Sequence, residues 1–568
     1  MGRSTMLTAL AVVSLVAVSC GDPAEDAAAG PIPRMSPAVG AVLTGCADLG
    51  TRFEFTNTTL TESKPTPAGV LTVGGHDIRA HCTVTGKMNE RVSPVDGQRY
   101  AIGFEMRLPE DWNGRFFYQG NGGIDGNVPP AVGAVSGGGP TTNALDMGFA
   151  VISSDAGHTA EQNPLFGIDP QARLDYGYQA VASLTPMAKA LITTAYGKAP
   201  DHSYIGGTSN GGRHTMVAAS RLPDQYDGYL AGAPGFNLPK ASVAQMYGAQ
   251  QYAAAATDPD NLESAFDPTA RAIVAQAILA ECDNLDGADD GQVHDVTGCA
   301  TAFDLATDVP TCTGEFDGAC LPREQTLAVS NVFAGAVNSR GEALYSTFPY
   351  DPGLISEDWA QWEFVNSITN RDPSAAFIFT TPPSEPGALA DTRAIALGFD
   401  MDADAGKISD TDSTYTESAM SFMTPPDPTD LDELRGRGAK MIVVHGASDP
   451  VFSVDDTTRW YESLTAKYGD TTSDFARFFR VPGMGHSRGG PSTDQYDGLS
   501  ALVDWVENGR APDSIIATAR GVGNPGGANP EVPPSWNPGR TRPLCPFPQV
   551  ARYAGSGDIE RAESFDCR

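Results

Sequence analysis

Positive charge is scarce in this chain. It carries 37 lysines and arginines against 70 aspartates and glutamates, a net charge of −33 over 568 residues. No basic patch of the kind that neutralises phosphates occurs, which removes nucleic acid from the candidate partners. Histidine is scarcer still, at eight residues, so any histidine-dependent chemistry has few places to reside. A long hydrophobic run is missing too. The apolar segment near the N-terminus, Met6 to Val18, is too short to span a bilayer. With Arg3 before it and Ser19-Cys20 after it, it reads as an export signal over residues 1–20. The small residues before Cys20 also fit a lipoprotein cleavage site, which makes a lipid anchor at Cys20 the alternative fate and a periplasmic or cell-surface location the alternative to secretion. Residues 21–40 read as a flexible tether.

With Cys20 set aside, eight cysteines remain: Cys46, Cys82, Cys282, Cys299, Cys312, Cys320, Cys545 and Cys567. An even set in an exported chain points to disulfides. Spacing alone does not fix the connectivity. Sequence neighbours suggest Cys46–Cys82, Cys282–Cys299, Cys312–Cys320 and Cys545–Cys567.

What is present in abundance is a strand–helix alternation. Arg99 to Glu105 alternates as a strand, Leu108 to Gly114 reads as a turn, and Phe116 to Gln119 and Ala150 to Asp155 are further apolar strands. Asp175 to Tyr196 has helical periodicity, and Tyr229 to Pro234 is another strand. Such alternation predicts an α/β core with a mostly parallel sheet and helices on both faces. After Phe236 the pattern breaks for about two hundred residues rich in Pro, Asp, Gly and Thr, and it returns at Ala439 to Gly446. The expected organisation is therefore a core in two parts, 41–235 and 437–568, with an inserted lid over 236–436.

The chemistry centres on His202 to Ser220, an apolar strand, a glycine-dense turn and a helix. The turn holds Gly207-Thr208-Ser209-Asn210-Gly211, a G-x-S-x-G elbow that strains a serine out of the sheet and over a helix N-terminus. Downstream, Asp449 follows the Met441–His445 strand, where a triad acid belongs; Asp455 and Asp456, in the next helix, rank below it. His486 follows the Arg477–Val481 strand on the loop Pro482-Gly483-Met484-Gly485-His486. The order Ser209, Asp449, His486 is that of the α/β-hydrolases. His158 also follows a strand and is the rival base, although it precedes the serine. His445 is expected to be buried in the sheet. The glycine cluster Gly120-Asn121-Gly122-Gly123 can supply the second oxyanion N–H.

Together Gly-Thr-Ser-Asn-Gly-Gly-Arg, Asp449-Pro450 and Gly-Met-Gly-His486, with Asp155-Ala-Gly-His158, Asp175-Tyr-Gly-Tyr178 and Tyr226 to Pro234, resemble the tannase/feruloyl esterase family. The resemblance implies an α/β-hydrolase fold and a serine esterase acting on feruloyl, galloyl or terephthalate-monoester substrates. It implies Ser209 as nucleophile, His486 as base, Asp449 as its orienting acid, and an oxyanion hole from Asn210 and Gly122 or Gly123. The family joins cysteines flanking the nucleophile and the base; here those positions are Thr208 and Ser487, so a hydroxyl–hydroxyl or backbone contact is the expected substitute.

Cys282-Asp283-Asn284-Leu285-Asp286-Gly287-Ala288-Asp289-Asp290-Gly291-Gln292 has the aspartates and glycines that turn oxygens onto a hard cation. The resemblance implies a structural Ca2+ held by Asp283, Asp286 and Asp290 and by the carbonyls of Ala288 and Gln292. Trp359, Trp362, Phe364 and Phe377 are candidates either for an acyl pocket or for the core of the insertion. A triad alone does not separate esters from amides. A serine peptidase or lactonase therefore stays open, as does a non-catalytic surface binding protein retaining the fold. The oligomeric state is not legible.

Overall fold

The computed structural model describes residues 1–2 and 32–568, other than 136, 139–141, 314, 315, 317 and 370. The expected export signal beyond its first two residues, Cys20 and the first part of the expected tether lie outside the described residues. No helix among the described residues is long and apolar enough to cross a membrane.

A nine-stranded sheet forms the centre of the molecule. In chain order its strands are β1 (Thr58–Thr66), β2 (His81–Val92), β3 (Arg99–Pro109), β4 (Arg115–Gly120), β5 (Ala150–Ser154), β6 (His202–Thr208), β7 (Gly228–Gly232), β8 (Lys440–Gly446) and β9 (Ala476–Val481). In space they run β9-β8-β7-β6-β4-β5-β3-β2-β1. The six from β9 to β5 are parallel, and β3, β2 and β1 extend the sheet as an antiparallel arm. The mostly parallel α/β core is thus present. The turn expected over 108–114 is shorter than anticipated: β3 runs on to Pro109, and Asp111–Trp112 pairs with Ala41–Val42.

The parallel strands are buried on both sides, because side chains alternate between faces and each face carries helices. Phe116, Tyr118, Ile205, Tyr229, Met441 and Phe478 pack on one face with Leu184, Met187 and Leu191 of helix α1 (Ala180–Tyr196). Their sequence neighbours Phe117, Tyr204, Leu230, Ile442 and Phe479 pack on the other with Leu499, Leu502 and Trp505 from the Gly498–Asn508 helix. Helix α2 (Asn210–Arg221) follows β6 directly.

Between β7 and β8, two strands that lie side by side, the chain leaves the sheet for about two hundred residues. The irregular composition there resolves into short helices, the longest being α3 (Leu238–Ala255) and α4 (Pro268–Cys282). This insertion has an apolar cluster of its own, built on Tyr252, Phe266, Val274, Ile278, Phe333, Trp359 and Phe364. The four disulfides pair as sequence neighbours: Cys46–Cys82, Cys282–Cys299, Cys312–Cys320 and Cys545–Cys567. Such a set belongs to an oxidising, extracellular-type compartment.

Candidate active site

Ser209 sits between β6 and α2 with φ 66° and ψ −125°, in a region that non-glycine residues rarely occupy. The elbow is possible because its flanks lack side chains. A Cβ on Gly207 would lie 2.4 Å from the carbonyl oxygen of Gly120, and one on Gly211 would lie 2.3 Å from the same atom. The bend also places Ser209 over the first turn of α2, whose N–H groups have no helical partner.

Two loops at the C-terminal ends of adjacent parallel strands bring in the partners. Asp449 follows β8 and His486 follows β9. The Ser209 hydroxyl donates to His486 Nε2 at 2.9 Å, and His486 Nδ1–H donates to Asp449 Oδ2 at 2.8 Å. Asp449 is buried, at 3% exposure. Burial opposes its charge, yet His486, His445 and the hydrogen bonds they make hold its carboxyl well below the usual range. The N–H groups of Val451 and Phe452 occupy its Oδ1, at 2.9 and 3.0 Å.

His445 does more than fill the sheet interior, the place sequence reasoning gave it. Thr457 Oγ1 lies 2.9 Å from its Nδ1, and its Nε2–H donates to Asp449 Oδ2 at 3.2 Å. The acid is therefore shared by two imidazoles. The only hint in sequence was the four-residue spacing from His445 to Asp449.

His158, the rival base, is not at the serine. Its Nε2–H donates to the carbonyl of Ile124 at 2.8 Å and its ring stacks on Phe166 at 3.7 Å. Burial lowers its pKa to about 4. Asp455 lies in the first turn of the following helix and accepts from Thr347, and Asp456 accepts from Asn237.

On the oxyanion side, Gly122 approaches Ser209 closely: a Cβ added to it would lie 4.0 Å from the Ser209 Cβ. Gly123 lines the same pocket as Ser209 and Asn210. Among the described residues, no acceptor takes the N–H of Asn210, Gly122 or Gly123. The Asn210 side chain is fixed by Asp125 Oδ2 at 2.8 Å, and that carboxylate also accepts from His214 at 3.0 Å. Asp125 is a site residue that sequence reasoning missed.

No hydrogen bond joins Thr208 and Ser487 among the described residues. Among the described residues neither hydroxyl makes a hydrogen bond, and Thr208 instead packs against Gly232. Ser487 has φ 74°.

A scan against protein families matches the description "Tannase and feruloyl esterase" over residues 82–568. The chain is 39% identical over 537 residues to a mono(2-hydroxyethyl) terephthalate hydrolase of Piscinibacter sakaiensis, covering 88% of this chain and 87% of that protein. The chain belongs to the tannase and feruloyl esterase family. It is a carboxylic ester hydrolase. A probable feruloyl esterase B-1 of Neosartorya fischeri is 28% identical, with 82% of each chain covered. The fold is that of feruloyl esterase B from Aspergillus oryzae, with a TM-score of 0.72 at 22% identity over 92% of this chain and 99% of that one.

In this family member the pocket at Ser209 is walled by Ile124, Leu238, Trp362, Phe379, Val451 and Phe452. Of the four candidate aromatics, only Trp362 lines it. Trp362 meets the His486 ring edge-on at 5.0 Å. Trp359 and Phe364 belong to the core of the insertion, and Phe377 is fully buried. Phe379 and Phe452 take the places sequence reasoning gave to those residues. Arg371, exposed at the rim, stacks its guanidinium over Trp362 at 5.0 Å. No carboxylate forms an ion pair with it among the described residues. Beside it Asp372 is buried, and burial raises its pKa to about 7.

The acidic loop lies far along the chain from the triad, in the insertion. Asp283 accepts from the N–H of Gly291 at 2.9 Å, and Asp286 Oδ1 from that of Ala288 at 2.8 Å. Asp290 Oδ2 pairs with Arg542. Asp286 Oδ2 and both amide atoms of Gln292 are buried without partners. No group of three His, Cys, Asp or Glu placed to hold a metal ion occurs among the described residues. Of the three expected carboxylate ligands, Asp286 thus carries an orphaned oxygen, Asp283 is held by backbone N–H groups and Asp290 is engaged by Arg542.

Proposed function

We propose that the chain is an exported serine esterase that hydrolyses esters of aromatic carboxylic acids through an acyl-enzyme. The observation that carries this reading is the unbroken Ser209–His486–Asp449 relay opening into an aromatic-walled pocket. His486 takes the hydroxyl proton as Ser209 attacks the ester carbonyl. The backbone N–H groups of Asn210 and Gly122 or Gly123 receive the oxyanion, and the protonated base releases the alcohol. Water then repeats the sequence on the acyl-enzyme. Trp362, Phe379 and Phe452 offer flat surfaces to a ring.

Among feruloyl, galloyl and terephthalate-monoester substrates, the reading favours an acyl group bearing its own negative charge. Arg371 supports this, since its guanidinium stands exposed at the rim and makes no ion-pair contact among the described residues, although it acts at longer range on the buried Asp372. Export rests on the N-terminal apolar segment and the disulfides, with Cys20 as the candidate lipidation site. The acidic loop is proposed to take a structural Ca2+ through Asp283, Asp286 and Asp290, with the carbonyls of Ala288 and Gln292; when bound, the ion would neutralise carboxylates that burial leaves strained.

The test is turnover of methyl ferulate, methyl gallate, mono(2-hydroxyethyl) terephthalate and a short aliphatic p-nitrophenyl ester by wild type, Ser209→Ala and Arg371→Ala. The expected result is hydrolysis of an aromatic ester that vanishes in Ser209→Ala. Arg371→Ala should raise KM for the terephthalate monoester more than for the uncharged esters. Turnover of the aliphatic ester alone would remove the aromatic specificity, and retention of activity in Ser209→Ala would overturn the mechanism.

A further inference from the structure

The loops that carry the acid and the base are braced by a carboxylate belonging to neither. Asp351 lies in the insertion, at the start of the short turn Pro352–Ile355, and is 1% exposed. Its Oδ1 accepts the N–H of Gly353 at 2.9 Å and the hydroxyl of Ser448 at 2.5 Å. Its Oδ2 accepts the N–H of Gly483 at 3.2 Å. Ser448 immediately precedes Asp449, and Gly483 lies on the loop that leads into His486. One buried carboxylate therefore grips both loops, one oxygen to each.

The approach is close enough to dictate sequence. A Cβ on Gly353 would fall 2.4 Å from the Gly483 carbonyl oxygen and 2.5 Å from Ser448 Oγ. Burial raises the pKa of Asp351, and the hydrogen bonds from Ser448, Gly353 and Gly483 work against that rise. No lysine, arginine or histidine pairs with it among the described residues. A contact needed only to seat the insertion on the core would cost less if made by a neutral group. A carboxylate is suited to accept three donors from three directions at once, which fixes their relative positions. The same insertion also holds the base directly: the His486 N–H donates to Asp358 Oδ2 at 3.0 Å.

We propose that Asp351 is a positioning residue that sets the acid loop and the base loop at the separation the Ser209–His486–Asp449 relay requires. The proposal rests on the triad reading above. Misplacing a catalytic group by about 1 Å can cost roughly a hundredfold in rate, so losing one of two grips is expected to show in kcat rather than in substrate binding.

The experiment compares Asp351→Asn, Ser448→Ala and Ser209→Ala with wild type by kcat, KM, melting temperature and rate of covalent labelling by a fluorophosphonate. The amide introduced by Asp351→Asn keeps one acceptor oxygen but turns an N–H toward a donor. For this variant the expected result is kcat lower by about tenfold or more, KM changed less than about threefold, and labelling slowed in parallel with kcat. Ser448→Ala should lower kcat by about threefold with the fold intact. A folded Asp351→Asn with wild-type kcat would overturn the proposal. So would a loss that disappears well below the melting temperature, which would mark Asp351 as a purely structural seat. If Asp351→Asn does not fold, unchanged kcat and labelling in Ser448→Ala overturn it, and a selective fall in kcat supports it. Activity surviving in Ser209→Ala would instead sink the triad reading, leaving the two failures distinguishable.

Discussion

The triad corner and the acidic loop both draw carboxylates into the interior, and they compensate them in opposite ways. Asp449 is 3% exposed and stays charged, because two imidazoles and two backbone N–H groups surround it. Asp286 is as deeply buried, at 2%, yet one of its oxygens has no partner and its nearest charges include Asp290 and Asp283. Burial and those like charges push its carboxyl up to about 7. The difference teaches that the triad compensates its buried carboxylate within the protein, whereas the acidic loop leaves a buried carboxylate oxygen without a partner. Breaking a compensated buried charge costs about 3–5 kcal/mol, so the two regions should respond to perturbation very differently.

The largest effect is expected at the compensated site. Asp449→Asn should lower kcat by about 10³–10⁴-fold while KM stays near wild type, since the His486 ring loses the acceptor that fixes its tautomer; steady-state kinetics on any turned-over ester reads this. Next comes the uncompensated site. Removing Ca2+ with a chelator should lower the melting temperature by several degrees and leave the relay's chemistry intact below that temperature. Asp286→Asn should abolish the sensitivity, and a protein that binds no metal and melts unchanged would end the calcium reading.

A smaller effect tests whether the second imidazole matters to Asp449. His445→Ala should lower kcat by about tenfold, because it strips one of the groups that keep the acid charged; a variant with wild-type kcat would show that His486 and the N–H groups suffice. The smallest concerns Glu363, a fully buried carboxyl whose pKa burial and neighbouring Asp372 raise to about 8. Its folded value lies above its unfolded one, so the folded state binds the proton more tightly. Stability from this group is greatest at low pH and declines as pH rises from about 4.5 through about 8. Glu363→Gln should flatten the fall in melting temperature between about pH 5 and 8 by about 1–3 °C, as differential scanning calorimetry would show.

The relay was legible because each member is announced locally. Ser209 needs flanking glycines at Gly207 and Gly211, while Asp449 and His486 each follow an apolar strand, and parallel strands present their C-terminal ends along one edge. The strands themselves were legible for the same reason, as β4, β5, β6, β7, β8 and β9 each carry a short unbroken apolar run. The disulfides followed from sequence proximity. The pocket and its supports were not legible. Trp359 and Trp362 are three residues apart, and nothing in composition says that one faces His486 while the other enters the insertion's core.

What the sequence determined by itself is therefore the α/β core, the elbow and the chain order of the relay, all properties of short-range pattern. What only the tertiary structure decided is which side chains lean on that relay: His445 on Asp449, Asp351 across Ser448 and Gly483, and Arg371 at the rim. These contacts span up to about 130 residues along the chain and use residue types common everywhere on the surface. Their meaning comes from how the insertion packs onto the sheet edge, and packing of that kind leaves no periodicity to read.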